Sequence, residues 1–367
     1  MAERYPCPGC GAELQWSPEQ GALNCPFCGH TQQPADADAA GEHLPVEHSL
    51  DNAAMTAARG WGTEVKEVQC ETCGAISEHD PKIAASDCAF CGSDQLHLYN
   101  ATEDLIRPES VLPFMVNKDK AAGDFKGWVS GLWFRPNALK KMSRLAKVDG
   151  VYVPAWTFDA ETRSSWRAEA GHYYYETETY TEMVDGKPQR KTRQVRKTRW
   201  VPANGSRRDS FDDVMVSASK GLEQSLFNGL LPFNLGELRG YSTQFLAGFT
   251  AERYQVNLES GFQIAKSQMD ATIQSNCASD VPGDTHRNLR VSSRYSDETF
   301  KHVLLPIWIA AYDYQGKVYR YLVNGQSGKL HGTAPYSVVK IAAAVIFAIL
   351  VIVIIVALGS YFGNGSR

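Results

Sequence analysis

Cys7-Pro8-Gly9-Cys10 and Cys25-Pro26-Phe27-Cys28 open the chain, and Cys70-Glu71-Thr72-Cys73 and Cys88-Ala89-Phe90-Cys91 repeat the arrangement 63 residues later. In both copies 14 residues separate the two CxxC pairs, and a glycine follows each pair. A CxxC hairpin brings two thiolates to one ion, and the glycine permits the positive φ of a tight turn. Four thiolates fill the tetrahedral shell of Zn²⁺ and leave no open position for catalysis. The spacing therefore predicts two structural zinc ribbons, over residues 1–33 and 61–99.

Eight of the nine cysteines belong to these quartets. A disulfide framework is disfavoured because the N-terminus lacks the apolar run of an export signal, and iron–sulfur sites normally show other spacings. His30 lies beside the first quartet, but four sulfurs already complete the shell. Cys277 has no partner motif and is interpreted as an ordinary semi-buried thiol. We expect two structural Zn²⁺ ions per chain, with the ligands Cys7, Cys10, Cys25 and Cys28, and Cys70, Cys73, Cys88 and Cys91.

Charge is distributed unevenly along the 367 residues, whose formal net charge is −4. Residues 1–110 hold 18 acidic and 5 basic side chains, a net charge of −13, so the remainder carries +9. Phosphate contacts require lysine and arginine, and four thiolates around Zn²⁺ add further negative charge. The acidic ribbons are therefore predicted to recognise protein rather than nucleic acid.

The C-terminal region is almost purely apolar. Ile341 to Leu358 reads IAAAVIFAILVIVIIVAL, 18 residues without a polar side chain. At about 1.5 Å per residue this length, with its flanks, matches a hydrocarbon core of about 30 Å. A buried core helix is the alternative, but a globular helix rarely lacks a polar face. We predict one transmembrane helix over residues 338–359 and a short external tail over residues 360–367.

The charges that flank this helix predict its orientation. Four basic residues precede it closely, and only Arg367 follows it. Positive charge favours the cytoplasmic side, so the N-terminal bulk is predicted to lie in the cytoplasm. The expected location is the cytoplasmic (inner) membrane, with a single pass. The four preceding residues are Lys317, Arg320, Lys329 and Lys340.

Between the ribbons and the anchor, the pattern predicts a linker over residues 34–60 and an α+β body over residues 100–337. The linker is rich in alanine and aspartate, with one short helix near Ala53–Arg59. In the body, Asn117 is predicted to cap a helix that runs to about Trp128. A second amphipathic helix begins at Leu258, and a third is expected at Asp213–Asn228.

Two short blocks of the body align with each other. Val153-Pro154-Ala155-Trp156 and Leu305-Pro306-Ile307-Trp308 each follow a helical pattern and lie in an aromatic-rich strand. This predicts an internal duplication of a helix-then-sheet unit. The fold class is α+β with mostly antiparallel sheet, because hairpin signals such as Asn324-Gly325 follow the second block.

One further segment combines aromatic side chains with opposite charges. Tyr173–Glu182 is rich in tyrosine and glutamate, and a run of basic residues follows Asp185-Gly186. We interpret it as a long hairpin in which an acidic arm faces a basic arm through cross-strand pairs. The alternatives are that the basic arm contacts anionic lipid, the acidic zinc ribbons or nucleic acid. The candidate binding residues of this basic arm are Lys187, Arg190, Lys191, Arg193, Arg196, Lys197 and Arg199.

Motifs of the common enzyme classes are absent. The chain has no GxxxxGK[ST] phosphate loop, no GxGxxG, no HExxH and no GxSxG. His302, beside a predicted strand, is interpreted as a structural residue rather than a base. We predict that the protein is not an enzyme, and that it neither hydrolyses ATP nor unwinds DNA.

Several blocks together resemble a bacterial family of membrane-anchored TFIIB-type zinc-ribbon proteins, some of which are labelled primosomal replication helicases. The resemblance covers nearly the whole chain, although the missing phosphate loop conflicts with the helicase label. A similar Gram-positive protein is associated with a PspA-type membrane-stress system, where it helps to hold a PspA-like protein at the membrane. The resemblance implies an adaptor role, and it assigns zinc to the same eight cysteines and no catalytic residue. The blocks are the two CxxCG ribbons, Tyr152–Trp156, Lys197–Trp200, Lys301–Trp308, Val323–Gly325 and Pro335–Ser337.

Two functions from different classes remain. The first is a membrane-anchored zinc-ribbon adaptor, or scaffold, that recruits cytosolic proteins, including PspA-like ones, to the inner face of the membrane. The second is a zinc-dependent nucleic-acid-binding protein linked to replication or transcription, although the charge of the ribbons makes nucleic acid the less favoured partner. Salt distinguishes them, because phosphate binding weakens steeply as the salt concentration rises.

Overall fold

The structure is a computed structural model that describes residues 5–34, 47–52, 59, 66–79, 87–99, 105–137, 147–184, 186–315 and 317–363. Apart from Arg59, the predicted helix near Ala53–Arg59 lies outside these residues, as does the predicted tail from residue 364 onward. The described chain is mixed α+β and mostly sheet, as the sequence predicts.

Each cysteine quartet lies on a small antiparallel sheet. In ribbon 1 the strands are β1 (Gln15–Ser17), β2 (Ala22–Asn24) and β3 (Thr31–Gln32), in that order. A short strand, β4 (His48–Ser49), follows. In ribbon 2 the strands are β5 (Lys66–Cys70), β6 (Ile76–His79) and β7 (Leu96–Tyr99), with β5 in the centre.

The body is organised around three very long strands. Strands β9 (Val148–Val184, 37 residues), β10 (Lys187–Ser217, 31 residues) and β13 (Thr285–Tyr314, 30 residues) pair antiparallel, with β9 in the centre. At about 3.3 Å per residue, β9 spans roughly 120 Å. The sheet continues from β13 through β14 (Lys317–Asn324) to β15 (Leu330–Gly332). Four short strands also belong to this sheet: β4, β8 (Ser110–Val111), β11 (Arg239–Gly240) and β12 (Thr250–Ala251).

The long sheet has three parts along β9. At its base, residues 151–158 of β9 are buried on both faces. In the middle, residues 160–170 mostly alternate between buried and exposed, because helix α3 (Leu258–Asp280) covers one face only. Among the described residues, two strands of the sheet continue beyond Gly171, namely His172–Val184 and Lys187–Arg199. We call this two-stranded part the distal ribbon; it is separate from the two zinc ribbons.

Four α-helices are described. The first, α1 (Lys118–Gly131), begins at Asn117, whose side chain caps Lys120 N as predicted. The others are α2 (Gln224–Leu230), α3 (Leu258–Asp280) and α4 (Val338–Gly363). The predicted helix at Asp213–Asn228 is wrong in its first part, because residues 213–217 continue β10. Pairing with β9 overrides the weak helical pattern there.

The predicted linker is only partly a linker. Strand β4 pairs with β13 at Thr299 and Phe300, and Glu47 forms an ion pair with the buried Lys301. Leu50–Asn52 continues as a 3₁₀ turn. Residues 47–52 are therefore attached to the body, where Glu47 supplies a counter-ion for a buried cation.

The tryptophans of the two aligned blocks make equivalent hydrogen bonds, each to a residue of the other helix-strand unit. Trp156 Nε1 donates to the carbonyl of Val256 (2.9 Å), and Trp308 Nε1 donates to that of Val116 (2.8 Å). Each of these valines precedes the asparagine that caps a helix, α3 and α1 respectively. Each helix-strand unit therefore supplies a tryptophan that anchors the start of the other unit's helix.

Backbone contacts repeat both within and between the units. Within each unit the proline carbonyl of the block accepts from a later amide, Pro154 O from Ala218 N and Pro306 O from Gly325 N. Ahead of each helix a short strand pairs in parallel with the other unit, β12 with β9 and β8 with β13. The two units are thus joined around an antiparallel β9–β13 pair.

Candidate metal centres and the charged sheet

The structure brings each predicted quartet together. Within each group the four sulfur atoms lie within 4.8 Å of one another. The Sγ–Sγ distances are 3.4 Å for Cys7–Cys28 and 3.5 Å for Cys10–Cys25, and 3.6 Å for both Cys70–Cys91 and Cys73–Cys88. Sulfurs that bind one Zn²⁺ tetrahedrally at about 2.3 Å lie about 3.8 Å apart. Both clusters therefore have a spacing and donor set that fit zinc.

All four CxxC knuckles share one backbone conformation. The glycine after each pair has a φ of between 72° and 78°, and its N–H donates to the carbonyl of the first cysteine of that pair. This left-handed turn favours glycine, which explains the repeated Cys-Gly in the sequence. The four glycines are Gly11, Gly29, Gly74 and Gly92.

Backbone amides also favour the thiolate form of one sulfur. The amides of Cys28 and Phe27 point at the Cys25 sulfur and lower the pKa of its thiol to about 6. The thiolate is the metal-binding form of cysteine. Zn²⁺ held there would crosslink two hairpins that are too small to form a core of their own.

Ribbon 1 packs against the base of the long sheet. Trp16 is 7% exposed, and its Nε1 donates to the carbonyl of Phe114 (3.1 Å). Its ring packs edge-on against Phe245, and its backbone N–H donates to Ala247 O. The Trp16 ring joins the core cluster that contains Tyr152. An aromatic side chain therefore anchors ribbon 1 to the body.

Ribbon 2 packs against the opposite face of the base. Its Phe90 lies in a core cluster with Val151, Val153 and Ala155, which alternate with Tyr152 along β9. A buried ion pair joins Glu67 of ribbon 2 to Arg253 of the body at 2.6 Å. Such a pair is costly unless both partners stay in place, so it fixes this ribbon in one position.

Two further acids, the partly buried Glu78 and the completely buried Glu252, lie at the contact between ribbon 2 and the body. Burial raises the pKa of Glu78 to about 8, and the negative charge of Glu67 adds to this shift. Burial likewise raises the pKa of Glu252 to about 8, although its Oε1 accepts from the hydroxyl of Ser219 (2.8 Å). Both carboxyls therefore carry a proton at neutral pH.

A third carboxylate group, Asp159, Asp212 and Asp213, is explained by local structure. Its members lie close enough to share an ion. However, Asp213 pairs with the buried Lys301 at 2.8 Å, and Asp159 accepts from the hydroxyl of Thr299. The group stabilises a bulge in β10, where Asp213 has a φ of 54°.

The predicted acidic-to-basic hairpin is present in the distal ribbon. Its turn lies between Val184 and Lys187, and Gly186 has a φ of 75°. On one face the basic side chains pair with glutamates across the strands: Lys191 with Glu182 at 2.6 Å, Arg193 with Glu178 at 3.2 Å, and Lys197 with Glu176.

The rest of the basic arm lies outside these pairs. Arg190 and Arg196 point to the other face, and Arg196 stacks over the Tyr173 ring at 4.3 Å. Lys187 and Arg199 have no ion-pair partner in the described part of the chain. In the described residues, both zinc ribbons pack at the other end of β9 from this arm.

Sequence reasoning missed five exposed arginines in the middle of the sheet. Arg163 lies directly opposite Arg208 on β10 and Arg294 on β13, and Arg167 lies opposite Arg290. The signal was an Arg-x-x-x-Arg spacing in two segments, RSSWR at 163–167 and RVSSR at 290–294. Because side chains alternate along a strand, this spacing puts both arginines of a segment on one face.

The C-terminal helix α4 is held at its start by the segment that follows α1. Ser337 N donates to Phe134 O, and Lys340 Nζ donates to the carbonyl of Arg135 (2.8 Å). From Val338 to Val356 the helix is exposed, and among the described residues it is long and apolar enough to cross a membrane.

The chain is similar along nearly its whole length to the uncharacterized protein YdjG of Bacillus subtilis (strain 168). The two are 29% identical over 345 residues, which is 94% of this chain and 93% of that protein. No protein-family profile matches the chain. No solved structure matches it either.

Proposed function

We propose that this protein is a membrane-anchored zinc-ribbon adaptor that holds cytosolic proteins at the inner face of the membrane. The observation that carries this proposal is the separation of its parts along one long sheet. Both cysteine clusters and the start of α4 lie at the base, whereas the exposed charged faces lie further along β9. An anchor and a binding surface held apart by a rigid sheet suit the presentation of partners.

The proposed topology follows from the flanking charges. Lys340 and the basic residues before it lie on the N-terminal side of α4, so the ribbons and the sheet would face the cytoplasm. In that reducing compartment the eight quartet cysteines would remain thiolates and bind two structural Zn²⁺ ions.

We further propose that the chain belongs with the bacterial TFIIB-type zinc-ribbon proteins that it resembles, and that its body arose by duplication. Similarity to YdjG over 94% of the chain supports a shared architecture, although that protein's name states no function. The exchanged bonds of Trp156 and Trp308 support the duplication, since they repeat one contact in two places.

Crosslinking in intact membranes tests the adaptor function. A photoreactive amino acid placed at Tyr175, which is 64% exposed in the distal ribbon, should capture cytosolic proteins that mass spectrometry identifies. The matched position is Trp133, which is 83% exposed near the start of α4 and should capture fewer of them. Capture of nucleic acid alone, or of nothing at either position, would contradict the proposal.

One observation favours the nucleic-acid alternative enough to test it. Tyr175 and the Arg196–Tyr173 stack lie on one open face of the distal ribbon, and aromatic side chains beside arginine can stack on bases. Binding of single-stranded nucleic acid that weakens steeply with salt would support this function instead.

A further inference from the structure

The five arginines in the middle of the sheet form a compact surface, which we call the arginine patch. They occupy two rows on the face of the sheet opposite α3, and all five are exposed. The first row crosses all three strands, and the second lies four residues further along β9, about 13 Å away. A row of serines, Ser165, Ser206 and Ser292, separates them. The patch consists of Arg163, Arg208 and Arg294 in the first row and Arg167 and Arg290 in the second.

This arrangement costs stability in the free protein. Like charges directly opposite each other on neighbouring strands repel, because their Cβ atoms lie about 5 Å apart. Within the described residues none of the five arginines has an ion-pair partner, whereas nearby Arg207 and Arg287 each bind a carboxylate. Other arginines of the sheet thus have a carboxylate partner, whereas the five arginines of the patch have none among the described residues.

We propose that the arginine patch binds an acidic segment of a protein partner; this deepens the adaptor function and rests on it for the nature of the partner. The planar guanidinium group binds a carboxylate through two parallel hydrogen bonds. The sheet already contains such a contact on the same face, where Arg287 donates to both oxygens of Glu169 at 2.9 and 3.1 Å. A partner's glutamates or aspartates would repeat this contact along the two rows.

The surroundings of the patch favour discrete carboxylates over a continuous phosphate chain. Glu161 and Glu169 occupy the same face at the two ends of the patch. A nucleic acid that continued along the strands beyond the patch would meet this negative charge, whereas a short acidic segment can end within the patch. The two arginine rows contain no aromatic side chain on which a base could stack. Three strands are about 10 Å wide, which matches one helix or one extended segment.

Peptide binding by the full-length, zinc-loaded protein in nanodiscs of uncharged lipid tests the proposal. The probe is a fluorescein-labelled peptide of about 20 residues in which every second residue is glutamate, which spans roughly 30 Å as a helix. At about 0.15 M salt we expect binding that Arg163→Glu with Arg294→Glu weakens at least about tenfold, measured by fluorescence anisotropy. Undiminished binding by this variant would overturn the proposal.

Two further variants separate the patch from general charge and from misfolding. Lys118→Glu with Lys126→Glu makes the same charge change on exposed positions of α1 and should leave the affinity within about twofold. Arg163→Lys with Arg294→Lys keeps the charge and the fold but removes the paired hydrogen bonds, so it should weaken binding about threefold. An affinity that falls equally in the α1 variant would show nonspecific attraction and would overturn the proposal.

Other ligands give distinct outcomes. Tighter binding of single-stranded DNA of matched charge, or retention by anionic vesicles without peptide binding, would also overturn the proposal. Failure here is separable from failure of the adaptor function, because that function is judged by crosslinking at Tyr175 in intact membranes. A protein that captures partners there but does not bind the peptide would lose only the arginine patch.

Discussion

Glu252 is completely buried where ribbon 2 meets the body, and burial raises the pKa of its carboxyl group to about 8. Since its ordinary pKa is 4.5, the folded chain keeps this proton between pH 4.5 and 8 while the unfolded chain releases it. Stability from this group is therefore greatest below pH 4.5 and falls as the pH rises towards 8.

Replacing Glu252 by glutamine should remove this part of the pH dependence, because the amide resembles the protonated acid and never ionises. We expect the difference in thermal unfolding midpoint between the variant and the native chain to grow, in favour of the variant, from pH 6 to pH 9. Glu223→Gln, at an exposed position, should leave the profile unchanged. Parallel profiles for native chain and Glu252→Gln would show that the buried carboxyl does not titrate in this range.

The cysteine quartets give a second prediction at this scale. Metal analysis of the protein purified without chelator should return about two Zn²⁺ per chain, and Cys91→Ser should reduce the ratio to about one. Cys277→Ala removes the ninth cysteine, which is also buried but lies outside both clusters, and should keep two. A native ratio near zero would rule out both zinc centres.

At the scale of elements, the sheet depends on contacts that repeat. Trp156 and Trp308 each donate a hydrogen bond to a carbonyl that precedes a helix of the other unit. Replacing either by phenylalanine removes the donor of that carbonyl, which is buried at Val116 and partly buried at Val256. We expect each substitution to lower the free energy of unfolding by about 2 kcal/mol, measured by denaturant titration.

Trp156→Phe and Trp308→Phe should lower the free energy of unfolding by similar amounts if the two units are equivalent. Trp128→Phe, at a partly buried tryptophan of α1 for which the structure gives no such bond, should cost less. A large loss at only one of the two core tryptophans would indicate that the units differ in the free energy of this contact.

The arginine rows give the next prediction. Replacing a residue that supports the fold lowers the free energy of unfolding, whereas replacing one of these arginines should raise it. Arg163→Gln relieves repulsion with Arg208 and Arg294, so the free energy of unfolding should rise by about 0.5 kcal/mol. Arg190→Gln, at an exposed position opposite Thr181 in the same sheet, should change it by less. Destabilisation by Arg163→Gln would mean that the patch supports the fold rather than a ligand.

For the whole molecule, the exposed apolar helix α4 predicts where the protein fractionates. Deletion of residues 338–367 should move the protein from the membrane pellet to the soluble fraction, because the remaining described residues include no second helix of this kind. The zinc content should not change, since both clusters pack at the base. Protease added outside intact cells should leave the ribbons uncut; cleavage there would reverse the proposed topology.

The sequence alone was sufficient for those features that depend on local spacing. Two cysteines with two residues between them and a glycine after them can form only a few conformations, and the glycines have the positive φ predicted. Asn117 and Leu258 mark helix starts because capping and 3.6-residue periodicity are local properties of the chain. The apolar composition of α4 likewise needs no tertiary contact to be recognised.

The tertiary structure alone showed where these parts meet. The register that aligns Arg163 with Arg208 and Arg294 joins residues as many as 131 positions apart, and no local pattern specifies such a pairing. The docking of Trp16 and the pairing of Glu67 with Arg253 also depend on surfaces that exist only once the base has formed. Local spacing determined the cysteine clusters and the starts of α1 and α3, whereas strand register and the burial of charge determined which surface the protein presents.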